Sequence, residues 1–113
     1  MSDDPPKGSQ AAGRRLWRSV LGAFDLDEHE LALLRQAART ADVCEVLQGL
    51  VDAEGAMREG RAHPALVELR QQRIVLARLL VALRVPLGEE SEGSDRLQRR
   101  GTRGVYGIRG GVG

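Results

Sequence analysis

Three kinds of side chain in this sequence could do chemistry: two histidines, a knot of carboxylates and several groups of arginines. His29 falls among Asp25, Asp27, Glu28 and Glu30, and carboxylates beside an imidazole can hold a divalent cation. All four acids also suit the start of a helix, where free N–H groups and the positive end of the helix dipole attract negative charge. His63 precedes Pro64 and has no acidic or cysteine partner at metal-ligand spacing, so both histidines read as structural or simply exposed. Cys44, the single cysteine, lies within a helical stripe, which predicts a buried thiol rather than a nucleophile and excludes an internal disulfide. The sole lysine, Lys7, belongs to no phosphate-gripping glycine loop. The expectation is a protein that is not an enzyme and has no metal or cofactor.

The arginines are more telling. Arg14, Arg15 and Arg18 fall within about one helical turn, where they could attract phosphates, and repetition of the patch around an oligomer would multiply that attraction. The bland alternative is a solvated helix face. A second group, Arg96, Arg99, Arg100, Arg103 and Arg109, is interleaved with glycine and Tyr106. Such a segment can track a nucleic-acid backbone or dock onto an acidic protein surface. An acidic run of Glu89, Glu90, Glu92 and Asp95 precedes it, so the two blocks cancel in a net charge of +1. Arg70, Arg73, Arg78 and Arg84 are spread around a later helix, where salt bridges to Glu45, Asp52 or Glu68, or snorkelling, are the expected roles.

The elements that must position these groups follow from apolar spacing. Residues 1–12 combine Pro5, Pro6, Gly8 and Ser9 with small polar neighbours and read as a flexible leader. Leu16, Trp17, Val20 and Leu21 then recur at helical spacing, giving a short helix over 13–24. Asp27 and Glu30 have capping-box spacing ahead of a long helix that should run to about Glu54 and stop at Gly55. Leu31, Leu34, Ala38, Ala41 and Leu47 form its stripe, widened by Ala37, Cys44, Leu50 and Val51. A connector over 55–64 leads to a third helix with Pro64 at its first position, ending before Pro86. Leu66, Leu69, Leu76, Leu80 and Leu83 make one seam there, and Val67, Ile74, Val75, Leu79 and Val81 extend it around much of the circumference. Residues 87–113 read as a flexible basic Gly/Arg-rich tail.

The fold class expected is all-α: a short N-terminal helix plus a long antiparallel helical hairpin, with disordered termini and a 13–86 core. Two helices bury little, and aromatic residues make up only 3% of the 113 residues, so self-association through the wide apolar faces is expected. The longest apolar stretches are broken by arginine and the chain starts without a basic, apolar leader, so neither a membrane span nor a signal peptide is expected, and the expectation is a soluble, intracellular protein.

Several stretches resemble the small subunit of the terminase of tailed double-stranded DNA bacteriophages, of the kind found in phages of actinobacteria. They are Leu16-Trp17-Arg18 leading to Phe24-Asp-Leu-Asp-Glu-His-Glu, then Leu34-Arg-Gln-Ala-Ala-Arg-Thr-Ala-Asp42, and Gly60-Arg-Ala-His-Pro-Ala-Leu-Val-Glu-Leu-Arg70 running into Leu79-Leu-Val-Ala-Leu-Arg-Val-Pro86. The resemblance covers about residues 13–88. It implies a non-enzymatic, ring-forming homo-oligomer that binds viral double-stranded DNA at its packaging start and presents it to the large terminase subunit, which carries the ATPase and nuclease. Gly60 to Arg70 matches the family's turn into its second long helix. No family motif pins the DNA contacts, so Arg14, Arg15 and Arg18 are assigned from charge alone. Many small terminases carry an N-terminal helix-turn-helix, for which there is too little sequence before Phe24, so binding through phosphates and DNA shape is expected. The rival expectation is a helical-hairpin adaptor that docks a protein partner through its basic tail without touching DNA.

Overall fold

A computed structural model describes residues 4–85. Their order is α1 (Ala11–Ala23), α2 (Glu28–Glu54), β1 (Met57–Arg58), β2 (Arg61–Ala62) and α3 (Pro64–Ala82). The molecule is thus mostly helical, as the apolar spacing predicts, with one minute two-stranded ribbon that the spacing does not reveal. Residues 1–3 of the expected leader, residue 86 of the expected core and the whole expected tail, 87–113, lie outside the described residues.

α2 and α3 pack side by side and antiparallel. At one end Arg84 pairs with Glu30 at 3.5 Å, and at the other His63 meets Glu54. α1 lies along the first half of α2, with Gly13 beside Ala38 and Asp42. The core therefore collects where all three helices coincide: Trp17, Val20 and Phe24 pack with Leu31, Leu34, Ala38 and Leu83. At roughly 2 kcal/mol per fully buried large apolar side chain, this cluster is the main force joining α1 to the hairpin.

Each helix boundary has a physical cause. α2 opens with a capping box in which the Asp27 N–H donates to Glu30 Oε1 at 2.8 Å and the Asp27 carboxylate accepts from the Glu30 backbone. It stops at Gly55, whose φ of 91° no helix continues. Glu59 and Gly60 both have positive φ, 53° and 77°, the backbone a two-residue hairpin needs to match strand twist. Met57 consequently faces Ala62, and Arg58 faces Arg61. α3 closes as Arg84 turns to φ 62° and the Val85 N–H donates back to the Leu80 carbonyl at 3.0 Å, which satisfies a terminal carbonyl.

Two side chains do more than the sequence spacing announces. The expected leader is folded from residue 4 onward: Pro6 is buried, and the Ser9 N–H and hydroxyl both donate to the Pro6 carbonyl. α1 begins at Ala11, two residues earlier than expected, because Asp42 of α2 caps it. The Gln10 N–H donates to Asp42 Oδ2 at 2.8 Å and the Gly13 N–H to Oδ1 at 2.7 Å. Gly13 is required there, since a Cβ would lie 2.5 Å from Asp42 Oδ2 and 2.7 Å from the Ala38 carbonyl oxygen.

His63 is the second. It is 5% exposed, and its Nδ1 accepts the Ala65 N–H at 2.9 Å, capping α3. Nε2 must then carry the proton, and it donates to Glu54 Oε1 at 2.6 Å. That hydrogen bond first, with the attraction of Arg58, holds the Glu54 carboxyl below its ordinary pKa against the opposing effect of desolvation.

Asp42→Ala leaves the first N–H groups of α1 without a partner and lowers unfolding stability by about 1–3 kcal/mol, readable in urea titration; an unchanged midpoint would show the cap to be idle. Glu54 yields a pH test. Because its pKa is lowered on folding, its contribution is complete above the ordinary carboxylate value of about 4.3 and disappears as pH falls through the lower folded value. Wild-type stability should fall more steeply than that of Glu54→Gln as pH drops below about 5, and parallel curves would refute the coupling.

Candidate nucleic-acid interface

α1 is amphipathic with its two sides cleanly divided. Gly13, Trp17, Val20 and Phe24, spaced three or four apart, are buried, while Arg14, Arg15 and Arg18 are exposed on the outer side. With Ala11 and Ser19 the three arginines line one shallow surface depression. The structure thus brings together the three residues singled out by charge. The ion pairs seen among the described residues lie elsewhere, at Glu30, Glu54 and Asp27, and Arg14, Arg15 and Arg18 are exposed. They differ in one respect. The Arg14 guanidinium donates to the Ser9 carbonyl and fastens the turn before α1, which combines the structural and the functional possibilities in one side chain.

Because Asp42 and the apolar cluster hold α1 against α2, these arginines are presented on a fixed support. A preformed cationic face can engage phosphates at lower entropic cost than a flexible segment. The depression lies on a single helix, and a row of guanidinium groups suits anionic oxygens rather than the edges of bases.

The other candidates are arranged differently. Asp27, His29 and Glu30 bring a ligand atom each to within 4.8 Å of one another, but Asp27 and Glu30 already serve the capping box and Glu30 also meets Arg84. His29 is exposed beside Asp27. Cys44 is half-buried rather than buried; desolvation, only partly offset by Arg73, raises its thiol pKa, which works against a reactive thiolate. Of the arginines on and just after α3, two find partners other than those expected from sequence. Arg73 donates to the Gln48 side-chain oxygen, Arg84 reaches Glu30, and Arg70 and Arg78 are exposed. Arg96, Arg99, Arg100, Arg103, Tyr106 and Arg109 lie outside the described residues. No helix among the described residues is long and apolar enough to cross a membrane.

Sequence reasoning missed Asp42 and His63 as positioning residues. For His63 the signal was present in its place before Pro64, since the residue ahead of a helix-opening proline is the N-cap. For Asp42 there was none, because its partners lie 32 and 29 residues away.

No protein-family model, curated protein or solved structure was found to match this chain.

Proposed function

We propose that this protein is a small terminase subunit of a tailed bacteriophage: a homo-oligomeric, ring-forming protein that binds viral double-stranded DNA, initiates genome packaging in the host cytoplasm and regulates the large terminase subunit. The observation that carries the DNA-binding part is the exposed face of Arg14, Arg15 and Arg18 on a helix pinned to the hairpin by Asp42. The sequence resemblance over residues 13–88 supplies the packaging context. In this reading the arginines of α1 neutralise phosphates, and copies arranged around the assembly sum many weak contacts into useful affinity. The protein contributes recognition and delivery, and its large partner contributes the chemistry. The tail residues Arg96, Arg99, Arg100, Arg103, Tyr106 and Arg109 dock onto that partner.

Fluorescence anisotropy of a labelled duplex, read across a salt series, tests the interface. Each phosphate contact removed should lower the slope of log affinity against log salt by about one per copy engaged. Arg15→Ala with Arg18→Ala should therefore weaken binding at low salt at least tenfold and flatten the salt dependence. Removal of residues 96–113 should leave this binding intact and abolish stimulation of the large subunit. Wild-type protein that fails to bind duplex at 50 mM salt would overturn the reading.

A further inference from the structure

The hairpin displays two apolar faces that its own fold does not cover. On α2, beyond the end of α1, Val43, Val46 and Leu50 follow one another at spacings of three and four, so they share a face; their exposures are 42%, 62% and 40%. On α3, Val67, Ile74 and Val81 recur every seven residues, at 48%, 47% and 60% exposed. Leu69, Leu76 and Leu83, also seven apart, are turned toward α2 and are buried or half-buried. At 3.6 residues per turn, the two columns of α3 are on opposite sides of the helix, so the Val67 column points away from the hairpin. Both faces are continuous enough to mark protein contacts.

We propose that these two faces are the two halves of one head-to-tail interface: the α2 face of one copy receives the α3 face of the next. This deepens the self-association included in the function proposed above and rests on it. A contact of a face with its own likeness would cover only one of the two patches in each pair. The head-to-tail contact covers both in every copy, and repetition closes into a ring when the rotation allows.

Charge fixes the direction and register. Antiparallel alignment that sets Leu50 against Ile74 of the next copy also sets Val43 against Val81 and brings Glu54 opposite Arg70. Glu54 is the acid at the far end of the α2 face; its Oε1 meets His63 and Arg58 within the copy, its Oε2 is in no pair seen among the described residues, and Arg70 is exposed and likewise in no ion pair seen there. Val46 then meets Arg78, whose aliphatic stem can cover it. Val81 would enter a notch of about 430 Å³ whose floor includes Val43, Val46 and Leu47. Within a copy, Gln48 lies beside Arg73; between copies it would lie beside Leu76, an axial offset of about 5 Å at 1.5 Å per residue. Neighbours therefore stand nearly level, as closure into a ring requires.

The test uses the full chain with two variants, each altering one well-exposed residue and leaving the monomer core intact: Val46→Arg, which blocks the α2 face, and Val81→Glu, which blocks the α3 face. Circular dichroism confirms that both remain helical, and light scattering gives the masses. Wild type should be a multimer and each variant monomeric, with self-association weakened at least tenfold. Mixed together, the two should recover a one-to-one pair, because each retains the face that the other lacks. Arg70→Glu should also weaken assembly about tenfold, and an unchanged mass there would overturn the register. If Val81→Glu remained associated while Val46→Arg did not, and the mixture formed no pair, α2 would be meeting its own likeness and the inference would fall. A monomeric wild type would overturn both the inference and the ring. An intact assembly that failed to bind duplex DNA would overturn only the DNA reading.

Discussion

The carboxylate of Asp42 is the interaction on which the arrangement of this protein depends. A helix leaves its first N–H groups without internal partners, and α1 has no side chain of its own in place to satisfy them. Asp42 reaches across from α2 and accepts two of them. The same contact fixes how close the helices come, since only glycine at position 13 allows it. A short helix of marginal intrinsic stability is thereby locked in place, and its apolar side is directed onto Leu31, Leu34 and Ala38. Its arginine side is left facing water as a geometric consequence.

The opposite end of the hairpin uses a similar economy. His63 terminates the ribbon, caps α3 and holds the end of α2 through Glu54, so one buried ring joins three elements. Between the two polar anchors the α2–α3 seam is mainly apolar, with Leu69 and Leu76 in the middle, Leu83 entering the three-helix cluster and the Arg73–Gln48 hydrogen bond at an exposed edge. Polar contacts set register and orientation at the ends, and burial supplies the cohesion between them. Past the N-terminus of α1 the hairpin has only two layers, and there Val43, Val46, Leu50, Val67 and Ile74 remain on the surface. Together with the outer side of α3, this end carries apolar surface that the chain's own fold does not cover.

Much of this was legible in the residues themselves. Helix boundaries at Glu54 and Pro64 follow from Gly55 and from proline's missing donor, and the capping box of Asp27 and Glu30 lies within four residues. These signals are local, so spacing alone reveals them. The arginine face was legible too, because Arg14, Arg15 and Arg18 alternate with Trp17 and Val20 at helical spacing. The ribbon at Met57–Ala62 was not: a turn with Glu59 rather than asparagine or aspartate at its first central position lacks the usual sign. The wide apolar pattern of α3 predicted burial on two sides, yet one helix of the same chain covers only one, and Val67, Ile74 and Val81 stay exposed.

What the sequence by itself determined is the set of helices, the capping box of α2 and the chemical character of each face, since all of these are written at separations of three, four or seven residues. Tertiary structure alone decided which faces meet. Asp42 lies 29 and 32 residues from the N–H groups it caps, and His63 lies nine from its carboxylate. Such pairings depend on how the chain folds back on itself, and their physical cause is the need to satisfy buried polar groups wherever the apolar packing has left them.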